Sequence, residues 1–240
     1  MSCSNYLLRD LQWDTKYFGV KCGRLDINMK LSVQDKAEII KKVNGYTFLT
    51  IKNAKNNFME NKFISNEIKG YLTDVNVQLE KKYIKESNEY KKVELSNKYE
   101  YDTNIIKIAS EVFIKSRFLN DENITKEQAN GIYTNWVINS FNKLDKYFVT
   151  KKLDNKVIGF ILFYVNQNNQ SVIELIGVDQ YYRGLGIGKE LMSKLDEFCI
   201  YHNIKTGVVG TQIENIDAIN FYNKCGYKMK DVNYIYHKWL

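Results

Sequence analysis

Three glycines stand between an apolar, β-branched segment and a segment with helical periodicity: Gly184, Gly186 and Gly188, in the run YYRGLGIGKEL. Glycines at the start of a helix leave backbone N–H groups uncovered, and the helix dipole favours an anion there, so the loop suits a pyrophosphate. The spacing differs from the Gly-x-Gly-x-x-Gly of dinucleotide sites, and Lys189 is followed by Glu190 rather than by the Ser or Thr of a P-loop. A plain strand-to-helix turn is the alternative interpretation.

A second motif lies downstream, in the run NIDAINFYNKCGY. It consists of Asn215, Ala218, the pair Phe221-Tyr222 and a closing Gly226 followed by an aromatic residue. Together with the run RGLGIG, this motif resembles the two signatures of the GNAT superfamily of N-acetyltransferases, and the resemblance covers residues 100–240. It implies an α/β fold with a GNAT-type mixed, mostly antiparallel sheet flanked by helices.

The resemblance also implies that acetyl-CoA is the co-substrate. The sheet is expected to split into a V between the strand ending at Val178 and the strand ending at Thr211. The pantetheine arm would bond to the edge of the first strand, since an unpaired strand edge can hydrogen-bond an extended ligand that carries amides. The residues assigned to the coenzyme are Ile176, Gly177, Val178, Arg183, Gly184, Leu185, Gly186, Ile187, Gly188, Lys189, Asn215, Ala218, Phe221 and Tyr222.

Acyl transfer to an amine requires a neutral amine, a stabilised oxyanion and a hydrogen bond or proton for the departing thiolate. By resemblance, Tyr222 holds the position of the family's tyrosine general acid; its ordinary pKa of about 10 makes it a better hydrogen-bond donor than acid toward a thiolate. A backbone N–H near Gly177 or Val178 would stabilise the oxyanion. Glu174 is the candidate base, although its face of the strand cannot be read from the sequence. A packing tyrosine and a solvated glutamate are the alternatives.

Two further stretches concern the amine acceptor. LQWDTKYFGVKCGRLDIN, which begins at Leu11, and SRFLND, which begins at Ser116, are similar to nucleotide-amino-sugar acyltransferases such as TDP-fucosamine acetyltransferase. The resemblance implies a small-molecule amine acceptor, a nucleotide sugar, and a role in surface-polysaccharide biosynthesis. Aromatic faces suit sugar rings and bases, and arginine suits phosphate. The expected lining of the acceptor pocket is Ser116, Arg117, Phe118, Tyr133 and Trp136, although Trp136 fits the core stripe of its helix equally well.

The composition limits the functions open to the chain. The 240 residues carry a formal net charge of +7, but the lysines are mixed with acidic residues rather than gathered in a basic arm, which argues against a nucleic-acid partner. No run approaches the ~20 apolar residues of a membrane span. No secretory leader is visible, so we expect a cytoplasmic protein without membrane attachment. The four cysteines and two histidines have no disulfide-like or metal-like spacing. Exposed aromatic residues could form a homodimer face.

The elements that position these residues follow from periodicity. One helix is predicted from the apolar residues Ile105, Ile108, Ala109, Val112 and Phe113, and another from Lys126 to Asn142, with Ile132, Trp136 and Phe141 on its buried side. Three antiparallel strands come next, in KYFVTKK, VIGFILFYV and SVIELIGV. A helix carrying Leu191, Leu195 and Phe198, a strand at 207–211, a helix at 215–224 ended by Gly226, and a final strand complete the chain.

A charged, irregular run between Lys81 and Tyr99 marks a boundary, which predicts domains over residues 1–95 and 96–240. Within the first, the run YTFLTIKNAKNNFMENKFI and the strand-like TDVNVQLEK repeat in outline the end of the chain. Asn57-Phe58-Met59 would stand where Asn220-Phe221-Tyr222 stands. Methionine has no proton to give and no glycine loop precedes this copy, so we expect a degenerate GNAT-like half-domain that shapes the acceptor site without binding CoA.

Two other functions stay open from the sequence. A protein, peptide or small-amine N-acetyltransferase is one, and for peptides it would need an open groove for an extended backbone. A non-catalytic CoA-binding module is the other, and the presence of both the glycine loop and Tyr222 argues against it.

Overall fold

The computed structural model describes residues 4–54, 57–84, 95, 98–112 and 116–240. The strands in these ranges are β1 (Tyr6–Asp10), β2 (Cys22–Ile27), β3 (Phe48–Ala54), β4 (Tyr71–Lys82), β5 (Tyr147–Leu153), β6 (Lys156–Val165), β7 (Gln170–Val178), β8 (Thr206–Gln212) and β9 (Lys228–Trp239). The helices are α1 (Gln12–Phe18), α2 (Val33–Val43), α3 (Phe58–Phe63), α4 (Thr103–Val112), α5 (Lys126–Ile138), α6 (Ile187–Tyr201) and α7 (Ile216–Lys224). Within the described ranges, no helix has both the length and the apolar content needed to cross a bilayer.

All these strands join one sheet, in the order β1-β2-β3-β9-β4-β8-β7-β6-β5. The pairs β2–β3 and β7–β8 are parallel and the other neighbours are antiparallel. Helices α4 and α5 pack on one face of the C-terminal strands, and α6 and α7 pack on the other. The predicted α/β class, with a mixed and mostly antiparallel sheet between helices, is confirmed.

The strands β4 and β9 exchange places between the two halves of the chain. β4 follows β3 along the chain through α3, yet it lies between β9 and β8. β9 follows β8 through α7, yet it lies between β3 and β4. Each half therefore completes the sheet of the other, and β4 brings residues of the N-terminal half into the middle of the C-terminal sheet. The predicted division at residue 95 falls in a run that lies mostly outside the described residues, and it stays a prediction.

The predicted elements after residue 100 are present, with one boundary wrong. α4 buries Ile105, Ile108 and Ala109 as expected, whereas Phe113 lies outside the described residues. α5 ends at Ile138 rather than Asn142. The Ser140 hydroxyl donates to the carbonyl of Trp136 at 2.8 Å, and the chain then turns through a left-handed residue, Asn142. Phe141 is buried as expected but lies beyond the helix.

The segments α3 and α7 occupy matching places, each leading from a central strand to an exchanged strand. Asn57 is the N-cap of α3, and Asn215 is the N-cap of α7. The match of Asn57 with Asn220 predicted from the sequence is therefore wrong, because Asn57 corresponds in role to Asn215. Seven residues after the N-cap, the counterpart of Tyr222 is the buried Ile64. Like methionine, isoleucine has no proton to donate.

The strands β7 and β8 separate along their length. They pair only from Gln170 to Ile173 on β7 and from Thr206 to Val209 on β8. Beyond this point β8 stays attached to β4, and β7 stays attached to β6. Among the described residues, the edge of β7 from Glu174 to Val178 therefore has no strand partner on the β8 side, which is the V that the sequence resemblance implied.

Candidate functional site

The glycine loop connects the end of β7 to α6 and leaves the start of that helix open. Gly184 and Gly186 both have φ of +80°, a left-handed conformation that glycine adopts without strain. Gly186 is the N-cap of α6, and no side chain in the described part of the chain caps this helix. The N–H groups of the first turn thus meet no capping side chain and point to an anion site.

A cavity of about 500 Å³ lies against this loop. It is bounded by the end of β7, the start of α6 and residues of α7, namely Ile176, Gly177, Val178, Tyr182, Arg183, Gly184, Gly186, Ile187, Gly188, Lys189, Phe221 and Lys224. Ten of these residues belong to the set assigned to the coenzyme from the sequence, and Tyr182 and Lys224 were missed. The two lysines add positive charge beside the helix start, which suits a polyphosphate.

Four residues of the predicted coenzyme set do not line this cavity. Leu185 is 71% exposed at the tip of the loop. Asn215 caps α7, where its Oδ1 accepts a hydrogen bond from the Ala218 N–H at 3.4 Å. Tyr222 lies in the core. The asparagine and alanine thus have a clear local role in starting α7.

Two glycines allow the walls of the cavity to approach closely. A Cβ atom at Gly188 would lie 3.1 Å from the ring of Phe221, so glycine lets α6 and α7 meet at the cavity. A Cβ atom at Gly177 would lie 2.9 Å from Cγ2 of Ile108 in α4. A side chain at either position would displace the elements that form the V.

Tyr222 is 4% exposed and packs in the core between α7 and the sheet, beside the rings of Phe221 and Tyr227. Burial raises the pKa of its hydroxyl well above the ordinary value, with a further rise from Cys225. The hydroxyl is therefore protonated at neutral pH, so it can donate a hydrogen bond or a proton and is not available as a phenolate base. Its neighbour Phe221 reaches the cavity beside the glycine loop.

Glu174 lies at a β-bulge of β7. The register with β6 passes from Leu162 opposite Leu175 to Phe163 opposite Ile173, so Glu174 has no opposing residue. The bulge coincides with the point where β7 leaves β8. Lys146 donates to Oε1 of Glu174 at 2.6 Å, and its ammonium lies 4.5 Å from the ring of Tyr164. The carboxylate is thus engaged in an ion pair that is largely buried.

A second cavity, of about 540 Å³, opens between the two halves of the chain. Its lining from the N-terminal half is Leu11, Trp13, Asp14, Arg24 and Thr50, and its lining from the C-terminal half is Arg117, Phe118, Ile132, Trp136, Asn139, Ser140, Lys143 and Lys146. Four cationic side chains and one carboxylate face this space. Asp26 partly neutralises Arg24 through a 2.9 Å ion pair, and Glu174 partly neutralises Lys146.

Two tryptophans give this cavity flat aromatic walls. Trp13 and Trp136 are each 39% exposed, so the predicted core role of Trp136 is wrong. Each is held by a stacked tyrosine, with ring centroids 4.9 Å apart for Trp13 and Tyr17 and 6.5 Å apart for Trp136 and Tyr133. Rigid aromatic faces of this kind suit the stacking of a base or sugar ring.

The predicted acceptor residues divide into two groups. Arg117, Phe118 and Trp136 line the second cavity. Tyr133 lies behind Trp136, and Ser116 lines a third, smaller cavity of about 310 Å³ between β4 and the end of β8. The sequence pattern did not single out Asp14 or Arg24 as cavity residues, although both lie in the stretch that carried the resemblance, and Lys143 and Lys146 had no signal at all.

The turn that carries Arg117 is fastened to the exchanged strands by Asp121. Its carboxylate accepts hydrogen bonds from Tyr71 at 2.7 Å and Trp239 at 2.9 Å, and it lies 2.5 Å from Nδ1 of His237. Burial alone would raise the pKa of Asp121, but the hydrogen bonds from His237, Trp239 and Tyr71 hold it well below its ordinary value. The network fixes the wall of the second cavity against β4 and β9.

Comparisons with known proteins agree with this geometry. Residues 114–227 match the model of the acetyltransferase (GNAT) family. The chain is 28% identical over 135 residues to the spore coat polysaccharide biosynthesis protein SpsD of Bacillus subtilis (strain 168), which covers 56% of this chain and 46% of SpsD. The chain therefore spans about half the length of this relative.

Two solved structures show the same fold along nearly the whole chain. A GCN5-related N-acetyltransferase from Sphaerobacter thermophilus aligns with 98% of this chain and 76% of its own, with a TM-score of 0.59 and 9% identity. A tandem GNAT protein from the clavulanic acid biosynthesis pathway aligns with 100% of this chain and 85% of its own, with a TM-score of 0.55 and 9% identity. At these identities the likeness concerns the fold alone.

Proposed function

Because residues 114–227 form an acetyltransferase domain of the GNAT family, we propose that the chain transfers an acetyl group from acetyl-CoA to the amine of a nucleotide-linked amino sugar, such as a TDP-4-amino-4,6-dideoxyhexose. The coenzyme belongs in the cavity beside the glycine loop. The first-turn N–H groups of α6, with Arg183, Lys189 and Lys224, would hold its pyrophosphate. The unpaired edge of β7 would bond its pantetheine arm.

The lining of the cavity between the two halves is the observation that supports a nucleotide sugar as the acceptor. It combines Trp13 and Trp136 with Arg24, Arg117 and two lysines. A nucleotide sugar has these complements, since the base and sugar ring stack on aromatic faces and the diphosphate pairs with guanidinium groups. The name of SpsD, a spore coat polysaccharide biosynthesis protein, supports a sugar acceptor and a role in surface-polysaccharide biosynthesis.

The reaction needs few protein groups beyond this placement. A backbone N–H near Gly177 or Val178 would stabilise the oxyanion, because this stretch of β7 has a free edge. Tyr222, whose raised pKa keeps its proton in place, would donate a hydrogen bond to the departing sulfur. The cytoplasmic location and a homodimer stay predictions.

A thiol-release assay with acetyl-CoA tests the acceptor class. The panel consists of TDP- and UDP-linked amino sugars, the same sugars without the nucleotide, polyamines and peptide amines. We expect turnover on a nucleotide sugar and at least tenfold lower kcat/KM on the free sugar. Turnover only on peptides or polyamines would refute the acceptor and support the alternative of a peptide or small-amine acetyltransferase. Binding of acetyl-CoA without any turnover would support the non-catalytic module.

A pair of matched variants locates the acceptor. Trp136→Ala should raise KM for the nucleotide sugar about tenfold and leave KM for acetyl-CoA unchanged, because stacking on an aromatic ring contributes roughly 1–3 kcal/mol per base. Tyr201→Ala is the control, since Tyr201 is equally exposed at 39% but does not line the cavity. Equal effects of the two substitutions would place the acceptor elsewhere.

A further inference from the structure

The third cavity contains a carboxylate that the exchanged strand delivers to the catalytic sheet. This cavity is lined by residues 72–75 of β4, by residues 212–214 at the end of β8, and by Ser116 and Asn120. The Ile213 N–H donates to the Val75 carbonyl at 2.8 Å, so β4 stays attached to β8 up to the open end of the V. Asp74 is the acidic residue of β4 at this level.

A β-bulge determines the direction of the Asp74 side chain. In the pairing of β4 with β9, Leu72 lies opposite Tyr236 and Asp74 lies opposite Ile235, so Thr73 is the additional residue. Without the bulge, Thr73 would oppose Ile235 and Asp74 would face α6 and α7. With it, Asp74 faces the side of the sheet that carries Arg117 and the acceptor cavity. Bulges that redirect a side chain in this way are common beside active sites.

The carboxyl group of Asp74 is buried but incompletely bonded. Asp74 is 8% exposed, and its Oδ2 is buried without a hydrogen-bond partner among the residues that the structure describes. Burial raises its pKa to about 6, against the lowering effects of Arg117 and the Val75 N–H and with a further rise from Glu214. Three further titratable groups act on Arg117, namely Tyr133, Arg24 and Asp14. The pKa of Tyr133 is raised chiefly by its own burial.

Arg117 links this carboxyl group to the acceptor cavity. Its guanidinium lowers the pKa values of both Asp74 and Asp14, and Asp14 lines the second cavity. Ser116 lines the third cavity and the adjacent Arg117 lines the second, so one turn borders both spaces. An acceptor whose nucleotide stacks in the second cavity would therefore direct its sugar toward Asp74.

We propose that Asp74 is the general base of the reaction, an assignment that rests on the acetyl transfer proposed above. Asp74, as the carboxylate, takes one proton from the ammonium group of the acceptor, directly or through one water. The nitrogen lone pair then forms the C–N bond, the C–S bond of the thioester breaks, and the electron pair leaves on sulfur. The second nitrogen proton is transferred to the thiolate sulfur, directly or through solvent, so that CoA leaves as the thiol. Glu174 differs because its carboxylate forms an ion pair with Lys146 through Oε1, while its Oε2, like Oδ2 of Asp74, is buried without a hydrogen-bond partner among the described residues.

The test compares Asp74→Asn with Glu174→Gln in pH profiles of kcat/KM, on the best acceptor of the panel. The wild-type profile should fall below about pH 6 as Asp74 takes up a proton. Asp74→Asn should lose roughly 10²-fold at pH 7 and then rise about tenfold per pH unit as the amine itself deprotonates. Glu174→Gln should keep the wild-type fall in kcat/KM below about pH 6. Asp154→Asn, in the exposed β5–β6 turn, is the control for the change of charge.

Two additions separate a catalytic defect from a folding defect. Asp74→Glu retains a carboxylate, so it should restore the fall in kcat/KM at low pH and part of the kcat/KM at pH 7. An acceptor whose amine has a pKa below 7 needs no base, so the loss in Asp74→Asn should shrink to below tenfold. The assignment would be overturned if Glu174→Gln, and not Asp74→Asn, lost the fall in kcat/KM at low pH. It would also be overturned if the Asp74→Asn profile matched that of the wild type. A wild-type chain that binds acetyl-CoA but acetylates no amine would instead overturn the proposed function, and this inference with it.

Discussion

The N-terminal and C-terminal halves each contain a parallel strand pair, and only one pair is open. β2 and β3 stay paired from Cys22 to Ile27, the full length of β2. β7 and β8 stop pairing after Ile173. The same arrangement of strands therefore gives a continuous sheet in one half and a ligand-sized gap in the other, which explains why a single coenzyme site is expected.

The helices that follow the first strand of each pair, α2 after β2 and α6 after β7, also differ, since the start of α2 is capped and the start of α6 is open. α2 begins with a capping box in which Ser32 accepts from the Asp35 N–H, while the Asp35 carboxylate accepts from the Ser32 N–H at 2.8 Å. The preceding N–H, of Leu31, donates to the buried carboxylate of Glu60 at 2.9 Å. At α6 the cap is Gly186, with no side chain. In the N-terminal half, side-chain oxygens of the chain thus accept hydrogen bonds from the N–H groups at the start of α2. In the C-terminal half, the N–H groups at the start of α6 remain open to an anion.

Closing the open half should have the largest effect. Gly186→Asp places a carboxylate at the start of α6, where it would compete with the pyrophosphate and repel it. We expect an increase of about 100-fold in KM for acetyl-CoA. Asn203→Asp, at the exposed left-handed residue after α6, adds the same charge at the far end of the helix and should change KM less than threefold. Equal KM values for the two variants would contradict an anion site at the loop.

Removing the hydroxyl of Tyr222, whose counterpart in the N-terminal half is Ile64, should have the next largest effect. Tyr222→Phe keeps the ring packing and should lower kcat by roughly 10- to 100-fold, with KM for acetyl-CoA unchanged, because the departing sulfur loses its hydrogen-bond donor. Tyr227→Phe is the matched control, since its hydroxyl meets Tyr83 rather than the coenzyme cavity. A kcat equal to that of the wild type would leave Tyr222 with a packing role alone.

Opening the closed half should affect stability and not coenzyme binding. Glu60→Ala leaves the buried Leu31 N–H without its acceptor, and we expect the free energy of unfolding to fall by about 2 kcal/mol in urea denaturation. The affinity for acetyl-CoA should stay within twofold. Glu67→Ala, an exposed glutamate a few residues along, is the control. A change in affinity would mean that the N-terminal half takes part in coenzyme binding.

The smallest expected effect is the change in the free energy of unfolding when Asp74, the proposed base, is replaced. The pKa of Asp74 is raised from 3.8 to about 6 in the folded chain, so its stabilising contribution is complete below pH 3.8 and is lost as the pH rises through 6. Asp74→Asn should therefore raise the free energy of unfolding by about 1 to 2 kcal/mol at pH 7.5 and by much less at pH 4. A destabilised variant at pH 7.5 would show that the carboxylate is held by favourable contacts.

The cavity beside the glycine loop was largely predictable because the loop that borders it is local in sequence. Gly184 and Gly186 determine the loop and the open helix start by their left-handed conformations. The approach of Phe221 on α7 to Gly188 on α6 is a contact between distant segments, and Phe221 was expected there only from the resemblance. The turn at Gly226 was equally readable, since a left-handed residue ends α7 with φ of +87°.

The acceptor side was only partly predictable because it depends on contacts between distant segments. Arg117 and Trp136 were identified from resemblance, but the exchange of β4 and β9 leaves no periodic signal. The bulge at Thr73 that redirects Asp74 shifts the register by one residue, and alternation along a strand cannot reveal such a shift. The ion pair of Glu174 with Lys146 joins residues on separate elements and is visible only in the folded chain.

The number of coenzyme molecules bound per chain tests the comparison between the halves most directly. Calorimetric titration of acetyl-CoA into the wild-type chain should show one molecule bound per chain, and Gly186→Asp should abolish that binding at the same concentrations. A stoichiometry of two, or full binding by the variant, would contradict the account of one open half and one closed half.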